Sequence, residues 1–259
     1  MEIEFGARSD VGQARGNNED CFRTAPEMNL FVLSDGMGGQ SSGEVASRLT
    51  AETVVAKCRE TARYDGISDA GARLADAIRA ANTAVRREAR VNSGQSGMGA
   101  TVVAVMVSGE RASIAHVGDS RAYRLRNGEL EQLTRDHSFV AEQVRNGLMS
   151  EAEAAQSNLQ NVLMRAVGVD DEIQVEVSEE LFADGDTLLL CSDGLTKELT
   201  DARIAEVLGE IDEPQEAAER LVELANEAGG SDNITVIVLR QEPRLAGAFG
   251  RIGRWFKGS

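Results

Sequence analysis

The sequence predicts an α+β fold, a four-layer α-β-β-α sandwich in which two antiparallel β-sheets pack face to face between layers of helices. Short apolar runs of β type come in groups, and long helical stretches fall in pairs between the groups. Hairpin signals punctuate the strands, and tight turns join antiparallel neighbours, whereas parallel neighbours need long crossovers. A sheet wound from alternating strands and helices would show neither grouping nor hairpins.

In chain order, residues 3 to 8 and 20 to 24 read as short strands, followed by a stronger one at 30 to 34 built on Leu30-Phe31-Val32-Leu33. Residues 46 to 63 and 70 to 90 are helical in pattern. In the second, Leu74, Ala77, Ile78, Ala81 and Val85 recur at three- and four-residue steps. Strands at 101 to 107 and 112 to 117 flank Ser108-Gly109-Glu110, and strands at 121 to 125 and 130 to 133 flank Asn127-Gly128, a strong two-residue hairpin signal. Residues 139 to 168 are polar, with short helical patterns at 141 to 147 and 150 to 156. Ser150 and Glu153 stand there at capping-box spacing. This segment reads as a flap inserted between two strand groups. Strands at 173 to 178, 187 to 192 and 234 to 240 complete the set, making residues 1–241 one domain. From 242 to 259 the character changes: beyond Glu242, from Pro243 on, Arg244, Arg251, Arg254 and Lys257 occur without an acid, with Leu245, Phe249, Ile252, Trp255 and Phe256 among them. That tail could lie on an anionic membrane or in a partner's groove, or pack on its own body, and its glycines oppose an isolated helix.

The 259 residues are 42% apolar and 27% charged, enough for a sizeable core. A formal charge of -16 argues against nucleic acid as a partner, since that affinity comes from cations neutralising phosphates. Cys21, Cys58 and Cys191 are odd in number and lack CxxC spacing, which fits a reducing compartment. With two histidines, His116 and His137, a histidine-rich zinc or copper site is excluded. Neither a signal-type leader nor an apolar stretch of membrane-spanning length is visible, so the expected location is cytoplasmic.

The chemistry lies in acids at strand ends. Asp35 and Asp193 each follow an apolar run in a Ser-Asp-Gly tripeptide. Asp119 follows Ile114-Ala115-His116, Asp232 precedes Ile234-Thr235-Val236, and Asp20 closes Asn17-Asn18-Glu19-Asp20. In antiparallel sheets the end of one strand lies beside the start of its neighbour, so these acids can share one rim. Crowded carboxylates stay ionised only with cations between them. Hard oxygen ligands of this kind suit Mg(II) or Mn(II) and the hydrolysis of phosphate esters.

Ser9-Asp10-Val11-Gly12, Arg15, Asn18-Glu19-Asp20, Asp35-Gly36-Met37-Gly38-Gly39, Gly99-Ala100-Thr101, Gly118-Asp119-Ser120-Arg121, Ser192-Asp193-Gly194-Leu195 and Ser231-Asp232-Asn233 follow one another in order. Together they resemble the bacterial branch of the metal-dependent protein phosphatases, the type 2C serine/threonine phosphatases, over residues 1 to about 240. The resemblance implies that Asp35 bridges two Mn2+ or Mg2+ ions, that Asp193 and Asp232 complete the first, and that the Gly36 carbonyl, with Glu19 and Asp20, holds the second. It implies a third, weaker ion at Asp119 and Asp193. It further implies that Arg15 grips the phosphate and that a water or hydroxide bridging the metals attacks phosphorus directly. The substrates would be phosphoserine and phosphothreonine proteins, in opposition to a Ser/Thr kinase. Met37 stands where many eukaryotic members carry a histidine, so the proton donor to the leaving group is open between metal-bound water and His137. His116 reads as a core residue, Thr101 and Ser120 as scaffold. The flap is either a loop excursion or the surface that selects the phosphoprotein, the second being favoured.

Overall fold

The computed structural model describes residues 3–38, 42–62, 69–95 and 97–241. The tail at 242 to 259 lies outside them. The chain runs β1 (Ile3–Asp10), β2 (Asp20–Ala25), β3 (Leu30–Met37), α1 (Ser42–Ala62), α2 (Ala70–Val91), β4 (Gly99–Ala100), β5 (Val102–Ser108), β6 (Arg111–Val117), β7 (Arg121–Arg126) and β8 (Glu129–Gln132). It continues through α3 (Phe139–Arg145), α4 (Glu151–Ala154), β9 (Glu176–Leu181), β10 (Thr187–Cys191), α5 (Asp193–Glu198), α6 (Asp201–Glu210), α7 (Pro214–Ala228) and β11 (Ile234–Gln241). One sheet has the order β1-β11-β10-β7-β8 and the other β2-β3-β5-β6-β9, with β4 beside β3. Every pairing is antiparallel.

The apolar runs are strands buried on both faces, and their alternation sorts side chains into separate layers. Phe31, Leu33, Val103, Val105, Leu188, Leu190, Ile237 and Leu239 meet between the two sheets. The intervening Leu30, Val32, Val102 and Ala104 face α1 and α2, joined by Leu74, Ala77, Ile78, Ala81 and Val85. On the other side Leu189, Cys191, Val236 and Val238 face α5, α6 and α7 through Leu195, Ile204, Leu221 and Val222. Three apolar layers therefore glue four layers of structure, as expected from the grouping of strands.

Local chemistry sets the boundaries. Asp69 caps α2 by accepting from the Gly71 and Ala72 backbone N–H groups. Asn127 and Gly128 have φ of 53° and 84°, the paired positive values a two-residue hairpin between right-twisted strands requires. In α4 the Ser150–Glu153 capping box forms, but the helix is a single turn. The last strand before β10 differs from its sequence-based bounds of 173 to 178. β9 lies at Glu176–Leu181 because its register is dictated by β6, from Arg111 opposite Leu181 to His116 opposite Glu176. Ile173 and Val175 instead pack onto the helix-side core. The flap returns to the body where Ala100 and Val167 exchange backbone hydrogen bonds of 2.9 and 2.8 Å.

Leu190→Ala, in the layer between the sheets, should cost about 2–5 kcal/mol of unfolding free energy in urea. Leu181→Ala, 49% exposed on the β9 edge, should change it by no more than about 0.5 kcal/mol.

Candidate metal centre

Strand register brings the acids together. Asp20 at the start of β2 lies directly opposite Asp35 near the end of β3. In the other sheet, Asp10 pairs with Ile234, and Cys191 pairs with both Val236 and Arg121. The end of β10, the start of β11 and the start of β7 therefore share one end of that sheet, and Asp193, Asp232 and Asp119 sit in the breaks beside them. Asp20, Asp193, Asp119 and Asp232 all act electrostatically on the Asp35 carboxyl. The sequence-predicted acids converge on one rim between the sheets.

Hydroxyl and amide side chains lock the backbone that carries these acids. The Thr101 hydroxyl accepts the Asp35 N–H at 3.0 Å and pairs with the Ser120 hydroxyl at 2.7 Å. The Thr101 N–H donates to the Asp35 carbonyl at 2.8 Å, and the Ser34 hydroxyl donates to the Thr101 carbonyl at 2.6 Å. One threonine thus ties the Asp35 and Asp119 turns together. The Ser192 hydroxyl donates to Asp20 Oδ2 at 2.8 Å while accepting the Thr235 N–H at 3.0 Å, a bridge from one sheet to the other. Asn233 donates to the Val11 and Asn17 carbonyls, each at 2.9 Å, and accepts the Glu19 N–H at 2.8 Å. It fixes the loop that presents Arg15 and Glu19.

Charge is poorly compensated within the rim. Asp20 Oδ1 and Asp193 Oδ1 are buried without a hydrogen-bond partner among the described residues, which ordinarily costs about 1–3 kcal/mol per group or more for an ion. Burial, with Asp20, Asp193, Asp119 and Asp232 nearby, holds the Asp35 carboxyl well above the ordinary carboxylate range. Burial pushes Asp20 up to about 7 even though Thr235 and Ser192 hydrogen bonds pull it down. Burial, then the charges of Asp193 and Asp136, lift Asp119 to about 7. Burial keeps Asp193 raised despite Lys197. Asp232 alone among these aspartates ends below its usual value, where hydrogen bonds and charge from Lys197, with help from Asn233 N–H and Arg15, outweigh its burial.

Arg15 is already at the rim. Its Nε and one terminal nitrogen each reach an Asp232 oxygen at 2.9 Å, the two-pronged geometry a guanidinium offers any pair of anionic oxygens. Beside it the Gly36 carbonyl, the Glu19 carboxylate and Gly43 are in close approach. A Cβ on Gly43 would stand 2.8 Å from both Glu19 Oε1 and the Gly36 oxygen, and one on Gly36 would stand 2.0 Å from the Gly43 oxygen. Glycine at both positions leaves a hollow with the Glu19 and Gly36 oxygens close by, atoms of the kind a hard cation takes.

His137 is buried and engaged at both ring nitrogens. Its Nδ1 accepts the Gly118 N–H at 3.2 Å, so Nε2 carries the proton, and that nitrogen faces Glu176 Oε2 at 3.3 Å. The ring is buried and stacks on His116 at 4.8 Å. Burial and then the His116 charge lower its pKa. It braces the turn before Asp119 from behind. His116, Glu176 and His137 hold their ligand-type atoms within 4.8 Å of one another, yet an Nδ1 engaged by a backbone N–H leaves His137 no free lone pair for a cation. Lys197 and Gly43 also belong to the rim and go unread in the sequence, whereas Asn233 is part of the Ser231-Asp232-Asn233 motif but without a role. Lys197 follows Asp193 by four residues, a helical spacing that could have drawn attention to it.

The chain is thus a sandwich of two antiparallel sheets with an acidic, under-compensated rim at one end. A family model for protein phosphatase 2C matches residues 13–226, and the chain belongs to that family. It is 39% identical to the serine/threonine protein phosphatase PstP of Mycobacterium tuberculosis over 96% of its own length, but spans 48% of that relative. It is 36% identical to the serine/threonine phosphatase stp of Listeria innocua, covering 93% of this chain and 96% of that protein. The crystal structure of M. tuberculosis PstP superposes with a TM-score of 0.85 at 39% identity, covering 93% of this chain and all of that one. A structure of the PstP catalytic domain in complex with 2 manganese ions gives 0.81 at 39% identity, covering 92% and 97%.

The raised carboxyls set a pH dependence for the metal-free protein. A carboxyl whose folded pKa exceeds its unfolded one stabilises the fold below the unfolded value, and that stability is lost as pH rises through the folded value. For Asp20 and Asp119 the window runs from about 3.8 to about 7. In chelator the thermal midpoint should therefore fall as pH is raised from 5 to 8, and saturating Mn(II) should remove the fall. A flat profile in chelator would contradict the crowding described above.

Proposed function

We propose that this chain is a metal-dependent phosphoprotein phosphatase that hydrolyses phosphoserine and phosphothreonine esters, acting against a Ser/Thr kinase. The observation that carries the reading is the pair of buried, partnerless carboxylate oxygens on Asp20 and Asp193, beside an Asp35 surrounded by acids, in a chain of the protein phosphatase 2C family. Asp35 would lie between two ions, with Asp193 and Asp232 on the first, and the Gly36 carbonyl, Glu19 and Asp20 toward the second. Glu19, Asp20, Asp35, Asp119, Asp193 and Asp232 are six acids facing two cationic side chains, Arg15 and Lys197. If all ionise, the excess is four negative charges, which two divalent ions neutralise. Bound Mn(II) or Mg(II) would supply that neutralisation and activate water for direct attack on phosphorus without a phospho-enzyme.

The remaining work falls to this chain's residues. Arg15 would exchange Asp232 for two phosphate oxygens once Asp232 is engaged elsewhere, a swap its planar fork permits without rearrangement. Thr101, Ser192 and Asn233 hold the acids still, so little reorganisation accompanies the reaction. Residues 1–241 would form the catalytic domain. Within it, the flap at 139 to 168 shows Leu148, Leu159, Val162 and Met164 to solvent at 73%, 45%, 43% and 55%. Exposed apolar side chains of this kind suit docking of a protein substrate. Three free cysteines are compatible with a reducing cytoplasm. No helix among the described residues is long and apolar enough to cross a membrane.

A manganese-dependent assay on phosphothreonine, phosphoserine and phosphotyrosine peptides tests the reading. Turnover should require Mn(II) or Mg(II), vanish with chelator and favour the first two peptides. Asp35→Asn and Asp193→Asn should each lower kcat by orders of magnitude while circular dichroism in metal-free buffer stays native; unchanged turnover in either would refute the assignment. Arg15→Lys should raise KM for phosphopeptide about tenfold or more, since a point charge replaces a two-pronged grip worth roughly 1.4 kcal/mol or more.

A further inference from the structure

One cation is already built into the rim. Lys197 stands one helical turn after Asp193 on α5, and its Nζ lies 2.6 Å from Asp193 Oδ2 and 2.9 Å from Asp232 Oδ2. Its charge also reaches Asp119. A lysine is cationic at neutral pH, and here both groups that hold its ammonium are carboxylates. The two oxygens of Asp193 are thus divided. Oδ2 is taken by the ammonium, and Oδ1 is the buried atom left without a partner.

This division does not suit the third, weaker ion that the family resemblance implies at Asp119 and Asp193. Such an ion would have to take Asp193 Oδ2 from Lys197 and would bring two positive charges against an ammonium held in place by two carboxylates. It would also overshoot the charge balance, because two divalent ions with Arg15 and Lys197 already neutralise the six acids. We infer that Lys197 is a tethered counter-cation that takes the place of a third metal ion, so that this protein works with two ions and a lysine. The inference rests on the two-ion reading of the site. Lys197 is a positioning residue in this account: it holds Asp193 and Asp232 apart from each other's repulsion and orients Asp193 Oδ1 toward the first ion.

Manganese stoichiometry of the full chain, measured by equilibrium dialysis at saturating Mn(II), separates the possibilities. The wild type should retain two ions, and Lys197→Asp, which removes the ammonium and adds a ligand, should retain three. Lys197→Gln, which removes the charge and keeps the reach, should also admit the third ion and decides the matter if Lys197→Asp fails to fold by circular dichroism. Lys197→Gln should in addition melt at a lower temperature than wild type in chelator, because Asp193 and Asp232 lose their shared partner. Three ions in the wild type would overturn the inference and leave the two-ion core standing. Two ions in the wild type and in every folded variant would overturn it as well, as would equal melting of wild type and Lys197→Gln in chelator. Fewer than two ions in the wild type would bring down the underlying reading together with this one.

Discussion

Mutual repulsion among carboxylates at the meeting line of two sheets is the constraint on which this molecule turns. Burial and like charge together raise Asp35, Asp20, Asp119 and Asp193, and such groups stay ionised only where cations share the space. The rim supplies part of that compensation itself. Arg15 clasps Asp232 from outside, and Lys197 spans Asp193 and Asp232 from α5. The remainder is of a size and hardness that divalent ions would meet.

Holding like charges close demands a scaffold that cannot relax, and the sandwich provides it. Strands buried on both faces bring Leu188, Leu190, Ile237 and Leu239 against Phe31, Leu33, Val103 and Val105, a close-packed layer that transmits strain rather than absorbing it. Above it, the hydrogen bonds of Thr101, Ser192 and Asn233 each join segments far apart in the chain. Such cross-links would do little on a mobile loop. Placed at strand ends, they convert register into the spacing of the acids. The His137–Gly118 hydrogen bond does the same for the Asp119 turn.

Much of this was legible from the chain. The apolar runs, the Asn127-Gly128 turn and the amphipathic face from Leu74 to Val85 predict the elements because they depend on neighbours a few residues away. The acids of the rim stand out because glycine and serine surround them at strand ends, and their order resembles a family pattern. The bounds of β9 were not legible, since either Ile173-Gln174-Val175 or Val177-Ser178-Glu179 can satisfy a strand, and only pairing with β6 chooses. Nor were the partners of His137, whose ring is buried and accepts the Gly118 N–H across nineteen residues of chain.

By itself, then, the sequence determined most of the strands, the two long helices of the first half, the antiparallel class, the set of acids at the strand ends and the family, all properties of local pattern and composition. The tertiary structure decided which oxygens are spent and which are free. Lys197 and Asp193 are four residues apart, but Asp232, the second acid on the same ammonium, arrives from the far end of the chain. Arg15 meets that acid from the opposite terminus. Distances between charges depend on register and packing across the whole domain, and electrostatic energy at these separations changes steeply with distance. No local reading of the chain contains that information.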